Sequence, residues 1–195
     1  MARPHRNTPG GYCYHVLSRG NARQRVFHKP ADYEAFVGLF TAAHEIVPMR
    51  LLAYCLMPNH FHLVLWPRED GDLSRWMQWL LTTHVRRYHE HHQTTGHVWQ
   101  GRFKSFPIQE DEHLLAVLRY VERNPLRANL VKSAALWPHS SLRLAGSAAR
   151  PPWYSEGPVK RGKSWERHVD QPQTEAELLA LRRSVERGTG DPLRQ

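Results

Sequence analysis

The chain contains the segment Met57-Pro58-Asn59-His60-Phe61-His62-Leu63-Val64-Leu65, in which a turn is followed by two histidines and an apolar run. Pro58-Asn59 is typical of a turn, so the segment predicts a β-hairpin whose two strands cover 50–56 and 60–66. Side chains alternate between the faces of a strand, which places His60 and His62 on one face and Phe61 on the other. Two imidazoles on one face can share a divalent cation.

The segments around this hairpin predict a mixture of strands and helices. Residues 12–18 predict an earlier strand, and 98–108 predict strand material with a kink at Gly101 and Pro107. Helices are predicted from Pro30, from Asp72 or Ser74 to about 91, and from Asp111 to Asn124. The last helix is expected to stop before Pro125, because proline lacks a backbone N–H. Strands and helices do not alternate strictly, which favours an α+β fold over a doubly wound parallel sheet.

Length and composition suit one domain with an appendage. The chain has 195 residues, of which 41% are hydrophobic, and its composition shifts to Pro, Gly, Ser and Arg near 146. We predict a catalytic domain over 1–145 and a peripheral basic tail over 146–195 that contains a short helix. No apolar run approaches the roughly 18 residues of a membrane span, and the polar N-terminus does not resemble a secretory signal. A cytoplasmic location without membrane contact is therefore expected.

Positive charge is concentrated in parts of the chain. The formal net charge is +9, and six basic residues precede the first acid, Asp32. Such a surface favours polyanions, most often nucleic acids, although a solvated basic surface is the alternative. Within 97–109, cations alternate with aromatic residues, a mixture that suits phosphates and stacked bases. The residues expected to contact DNA are Arg19, Arg23, Trp99, Gln100, Arg102 and Lys104.

A tyrosine and an asparagine stand four residues apart on the predicted third helix. This spacing makes Tyr120 and Asn124 near neighbours at the border of the apolar stripe. If that helix covers the face of the sheet that carries His60 and His62, the four side chains share one cleft. The alternatives are a tyrosine at the edge of the core, a polar helix end before Pro125, and two strand histidines that bind nothing.

This set of side chains suits phosphoryl transfer. A cation held by His60, His62 and Asn124 would orient a phosphodiester, and Tyr120 would be the nucleophile. The expected cation is Mg²⁺ or Mn²⁺. A phenol ordinarily ionises near pH 10, so the cation and nearby arginines are expected to stabilise the phenolate. The arginines proposed for this role, and for DNA contact, are Arg119 and Arg123.

Two rival sites are weaker. Tyr88, beside two arginines, is the best alternative nucleophile, but it lacks an obvious metal neighbour. Five histidines between 84 and 97 suggest a zinc site, yet their spacing is irregular and no cysteine assists. A solvated helix end is the better interpretation of that histidine group.

Three blocks of the sequence carry a family resemblance. They read Tyr54-Cys55-Leu56-Met57-Pro58-Asn59-His60-Phe61-His62, Gly96-His97-Val98-Trp99-Gln100-Gly101-Arg102-Phe103-Lys104-Ser105 and Leu118-Arg119-Tyr120-Val121-Glu122-Arg123-Asn124-Pro125-Leu126-Arg127-Ala128. His60-Phe61-His62 looks like the signature of HUH single-strand nucleases. The wider pattern, over about 10–145, resembles the REP-associated tyrosine transposases, relatives of the single-tyrosine insertion-sequence transposases.

The resemblance implies a fold, a site and a substrate. The fold is a ferredoxin-like antiparallel sheet of four to five strands flanked by helices. Tyr120 is implied as the nucleophile, with His60, His62 and Asn124 as metal ligands. The implied activity is metal-dependent cleavage and rejoining of single-stranded DNA at hairpin-bearing, REP-like repeats through a 5′-phosphotyrosine, by a monomer or homodimer. The alternatives are a domesticated hairpin-binding protein without turnover and a replication or conjugation initiator, which the short chain disfavours.

Overall fold

A four-stranded antiparallel sheet with helices on both faces is the framework of the protein. The computed structural model describes residues 8–108, 112–145, 147–175, 177–179 and 181. The first six elements run β1 (Cys13–Arg19), α1 (Pro30–Ile46), β2 (Arg50–Met57), β3 (His60–Trp66), α2 (Asp72–His92) and β4 (Lys104–Ile108). Helices α3 (Glu112–Arg127) and α4 (Trp165–Asp170) follow. The strand order is β2-β3-β1-β4. This βαββαβ arrangement is ferredoxin-like and confirms the expected α+β fold, with four strands.

The two faces of the sheet bury different cores. Phe61, Leu63 and Leu65 point to one side, where they share a core with residues of α1 and α2. Val64 points to the other side and packs in a second core that α3 supplies. Because side chains alternate along β3, α3 covers the face that carries His60 and His62. In the described part of the chain, no helix combines the length and apolar character of a membrane span.

The hairpin predicted around Pro58-Asn59 is present, and β3 lies inside the sheet. On one side His60 is paired with Met57 of β2. On the other side it is paired with Arg19 of β1, while His62 is opposite Leu17. Backbone hydrogen bonds to both neighbours therefore hold the histidine strand, so the imidazoles start from a rigid support.

The region before β4 differs from its prediction. Over 98–103 the chain is mostly irregular, and only Trp99 forms a bridge, with Gly20. The strand begins at Lys104, after Gly101 adopts a left-handed φ of 66°. That conformation turns the chain away from an extended path, which is why the regular strand starts only after it.

Helix α3 continues through Pro125, so the predicted end at Asn124 is wrong. Proline cannot donate to the carbonyl one turn earlier, which belongs to Val121. The amide nitrogen of the Asn124 side chain lies 3.5 Å from that carbonyl oxygen and 2.9 Å from that of Tyr120. The next residue, Leu126, packs against the second core. Tertiary packing and this side-chain bond together carry the helix two residues beyond the proline, to Arg127.

Residues after 145 contribute to both cores. Trp153 and Tyr154 belong to the first core, and Tyr154 is paired with Leu51 at the edge of β2. Trp165 and Val169 of α4 belong to the second core. Their large apolar side chains explain why a segment rich in Pro and Gly is not peripheral. The division at 145 stays a prediction. The short helix predicted in this tail covers 174–187. Of that range, residues 175, 177–179 and 181 are helical, residue 174 is described but not helical, and the rest lies outside the described residues.

Candidate active site

Two histidines of β3 form the centre of the site. The ring centroids of His60 and His62 are 5.2 Å apart and the rings are nearly perpendicular. The side-chain oxygen of Asn59 lies 2.7 Å from Nδ1 of His60. Since that oxygen only accepts, Nδ1 donates, and a neutral His60 ring keeps its lone pair on Nε2. The turn residue therefore fixes which nitrogen of His60 is available to a cation.

A third histidine, His15 of β1, was not found from the sequence. Its Nε2 lies 2.9 Å from Nδ1 of His62, and the two rings are stacked with centroids 5.1 Å apart. The tautomer in which His62 donates from Nδ1 leaves Nε2 of His62 as an acceptor for a cation. A hydrogen bond of this kind orients metal-binding imidazoles in other proteins. Alternation on β1 places His15 on one face, but only the pairing of β1 with β3 brings the two rings together.

Burial keeps all three rings neutral at pH 7. Burial, with smaller effects from Arg19 and Arg127, lowers the pKa of His60 to about 4. Burial also lowers the pKa of His15 to about 4. The pKa of His62 falls well below its usual value, first through burial and then through the neighbouring histidines and arginines. Neutral imidazole is the form that binds metal ions, so His60 and His62 fit a divalent cation.

Helix α3 brings a tyrosine to the histidines. The ring of Tyr120 stands edge-on to His62, with centroids 5.7 Å apart, and to His15, with centroids 6.0 Å apart. Tyr120 is half-buried, so its ring packs in the site while part of the side chain meets solvent. The sequence predicts that Tyr120 lies near the histidines if the third helix covers the face that carries them. Helix α3 covers that face.

An arginine beyond Pro125 completes the cluster. Nη2 of Arg127 donates to the Tyr120 hydroxyl at 3.1 Å and lies 3.3 Å from Oδ1 of Asn124. Its guanidinium carbon is 4.6 Å from the centroid of the Tyr120 ring. Because the sequence predicts that the helix ends at Asn124, Arg127 was not identified as a site residue. In a continuous helix, Arg127 lies two turns after Tyr120 and on the same side, so a longer predicted helix would have indicated it.

The two arginines predicted to help Tyr120 are engaged elsewhere. Arg119 is 4% exposed; it donates to the carbonyls of Gln171 and Pro172 and forms an ion pair with Glu177 at 3.0 Å. Arg123 donates to the carbonyls of residues 169 and 170. Arg119 thus holds the segment after α4 against α3, and Arg123 holds the end of α4 itself. Their roles in DNA contact and phenolate stabilisation stay predictions.

The four other cations predicted to bind DNA are exposed. Arg19 is exposed and its backbone is paired with that of His60, so it flanks the histidine pair. Arg23 lies in the adjacent turn, where its carbonyl accepts from the Asn59 side chain. Arg102 and Lys104 are also exposed. These positions are open to a polyanion.

Gln100 and Trp99 are placed differently from each other. Gln100 is exposed, and its backbone N–H donates to the carbonyl of Arg19. Trp99 is 5% exposed and packs in the first core, with its ring 5.1 Å from that of Phe61. Little of this indole is accessible to a nucleic acid base, because the core already covers it.

The fold and site define a class of protein. An antiparallel sheet that presents two neutral histidines to a tyrosine on a covering helix is the arrangement that the resemblance to HUH nucleases implies. The family model described as "Transposase IS200 like" matches residues 10–124, more than half of the chain. The chain therefore belongs to the IS200-like transposase family.

Two relatives agree with this family. A Haemophilus influenzae protein named as a REP-associated tyrosine transposase is 28% identical over an alignment of 123 residues that covers 57% of this chain and 69% of that protein. A REP-associated tyrosine transposase solved with a REP hairpin superposes with a TM-score of 0.58 at 20% identity, and covers 84% of this chain and 96% of its own. The resemblance inferred from the three sequence blocks is confirmed, and the second relative shows that the fold is shared.

Proposed function

We propose that this transposase cleaves and rejoins single-stranded DNA at hairpin-bearing repeats through a 5′-phosphotyrosine. The observation that carries the proposal is the edge contact of Tyr120, from α3, with His62, from the inner strand β3. This contact between elements far apart in the chain supports Tyr120 as the nucleophile beside a candidate metal site. The hairpin substrate is supported by the relative that was solved with a REP hairpin.

His60, His62 and Asn124 are the residues that we propose to hold a divalent cation, Mg²⁺ or Mn²⁺. When bound, the cation neutralises phosphate charge and orients the phosphodiester for in-line displacement. The histidines contribute neutral nitrogens. The Asn124 side chain is oriented by the bond from its nitrogen to the Tyr120 carbonyl, while its oxygen faces Arg127. To serve as a ligand, that oxygen must exchange the arginine for the cation.

Tyr120 performs the covalent step. Its hydroxyl oxygen attacks phosphorus and releases its proton to solvent, while the bond from phosphorus to the 3′ oxygen breaks and that oxygen takes up a proton. The 5′ side stays attached to Tyr120 as a phosphodiester, and attack by a 3′ hydroxyl reverses the step. Arg127 already donates to the Tyr120 oxygen. This hydrogen bond strengthens as negative charge develops on the phenol.

Exposed cations beside the histidines are proposed to bind the DNA backbone. Arg19 flanks His60, and Arg23 lies in the turn that Asn59 holds through its hydrogen bond. Phosphate contacts of this kind provide affinity and position the strand without reading its sequence. Binding should therefore weaken as the salt concentration rises.

A covalent-adduct assay tests the proposal. The full chain is incubated with labelled single-stranded hairpin DNA and Mn²⁺, denatured, and examined for DNA that stays attached to protein. We expect an adduct for the wild type, none for Tyr120→Phe, and an unchanged yield for Tyr88→Phe, the rival tyrosine on α2. An adduct that survives Tyr120→Phe would refute the assignment. Tight hairpin binding without any adduct, unchanged by a chelator, would favour the non-catalytic binding protein.

A further inference from the structure

A second cluster of potential ligands lies away from the active-site histidines, where the start of α1 meets the end of α2. One oxygen of Asp32 and one ring nitrogen each of His91 and His92 all lie within 4.8 Å of one another. The irregular histidine spacing within α2 argues against a zinc site in the sequence. The structure supplies a ligand that spacing along one helix does not reveal, because Asp32 comes from α1.

We infer that Asp32, His91 and His92 form a structural zinc site that ties the first turn of α1 to the last turn of α2. Two imidazoles and one carboxylate make a donor set that suits Zn²⁺ and is poor for Mg²⁺ or Ca²⁺. A tetrahedral zinc site with bonds of about 2.0–2.1 Å needs ligand atoms roughly 3.3 Å apart. Rotation of partly exposed side chains that already lie within 4.8 Å reaches this spacing.

The backbone orients the Asp32 carboxylate. The N–H groups of His28 and Lys29 donate to its Oδ2 at 2.7 and 3.0 Å. Both hydrogen bonds fall on the same oxygen, so the carboxylate is fixed without using Oδ1. Carboxylate ligands of metals are commonly held by such hydrogen bonds. Asp32, in the first turn of α1, thus accepts from the backbone that precedes the helix and is also a pre-oriented candidate ligand.

One neighbouring cation competes for these histidines, and two other features of their surroundings favour a metal ion. The ammonium of Lys29 lies 2.8 Å from Nε2 of His91. An ammonium only donates, so this nitrogen presents its lone pair to a positive charge. His28 is a candidate for the fourth position, since its ring centroid is 5.1 Å from that of His92. The carbonyl end of α2 carries partial negative charge, which further attracts a cation.

A zinc titration tests the inference in full-length, untagged protein stripped with a chelator. His60→Ala serves as the background, because it removes one imidazole of the active-site pair. We expect calorimetry to detect one tight Zn²⁺ site in this background, weakened at least tenfold by His91→Ala. His91 is exposed, so its loss leaves the core intact. The matched control is His97→Ala, which removes an exposed histidine outside the cluster and should leave zinc affinity unchanged.

Two further measurements distinguish a specific zinc site from nonspecific zinc binding to surface histidines. Lys29→Gln should strengthen zinc binding a few-fold, because it removes the ammonium that competes for His91. Zinc at 100 times its dissociation constant should raise the melting temperature of the His60→Ala protein by about 5 to 10 °C, with no rise when His91 is also replaced. Zinc affinity that is equal with and without His91, or no tight binding in the His60→Ala background, would overturn the inference. Neither result bears on Tyr120 and its adduct.

Discussion

Removal of the Arg127 guanidinium should slow formation of the covalent DNA adduct. Nη2 of Arg127 donates to the Tyr120 hydroxyl at 3.1 Å. The hydrogen bond is modest while the phenol is neutral and becomes charge-assisted on both sides when the oxygen carries negative charge. Arg127→Ala therefore removes an interaction that is stronger in the transition state than in the ground state, which lowers the rate of the chemical step.

The size of this effect follows from charge and exposure. Two unit charges about 4 Å apart attract by about 1 kcal/mol in water and about 4 kcal/mol near a protein surface. Arg127 is exposed, which places its contribution toward the lower part of that range. We expect a loss of about 2 kcal/mol, or roughly 30-fold in rate. Arg127→Lys keeps the charge but not the planar fork of donors, so its rate should fall between those of the wild type and Arg127→Ala.

Single-turnover kinetics measure this loss directly. Excess protein is mixed with labelled hairpin DNA at saturating Mn²⁺, and adduct formation is followed with time. Arg143→Ala is the matched control, since it removes one exposed positive charge from another part of the surface. A rate for Arg127→Ala within threefold of the wild type would refute the role given to this guanidinium.

A series of Mn²⁺ concentrations distinguishes two ways in which Arg127 can act. Arg127 also lies 3.3 Å from Oδ1 of Asn124. If its main effect is on that proposed ligand, excess Mn²⁺ restores the rate of Arg127→Ala. If its main effect is on the Tyr120 oxygen, the loss persists at every cation concentration. We expect the second result.

Two further predictions concern stability. Glu122 is fully buried, accepts from the Trp165 indole at 2.6 Å and lies 3.7 Å from the Arg161 guanidinium. Glu122→Ala leaves this buried cation without its carboxylate partner. It should therefore lower the free energy of unfolding, measured by urea denaturation, by about 3–5 kcal/mol. The exposed Glu166→Ala control should change it by less than about 0.5 kcal/mol. His84 is buried among aromatic rings, and burial lowers its pKa to about 4. The unfolded chain therefore takes up the proton first, so this residue's stabilising effect is complete above about pH 6.5 and is lost toward pH 4, by up to about 3 kcal/mol. His84→Leu should flatten that part of the stability curve relative to the wild type, and parallel curves would contradict the assignment.

Local patterns in the sequence determined much of the fold. Strand alternation placed His60 and His62 on one face, and the turn at Pro58-Asn59 fixed the hairpin that carries them. The order of strands and helices indicated the α+β class. These features depend on neighbours within a few residues, so the sequence displays them directly. Proline is also a local signal, but the helix end predicted from Pro125 is wrong, because packing of α3 outweighed the lost hydrogen bond.

The tertiary structure decided which side chains meet. Pairing of β1 with β3 placed His15 against His62, and the longer α3 placed Arg127 on Tyr120. The segment after 145 engaged Arg119 and Arg123, which the sequence assigned to DNA. The first core enclosed Trp99.

The pair His60 and His62 shows which features the sequence determines and which depend on the tertiary structure. Its shared face was determined by the two-residue period of a strand, which holds wherever the strand is placed. Its neighbours His15 and Tyr120 come from β1 and α3, and their contact with it depends on strand pairing and helix packing across the whole domain. The same holds for Asp32 beside His91 and His92, which α1 and α2 bring together. Contacts between distant segments arise from burial of the shared core, which no local pattern in the sequence records.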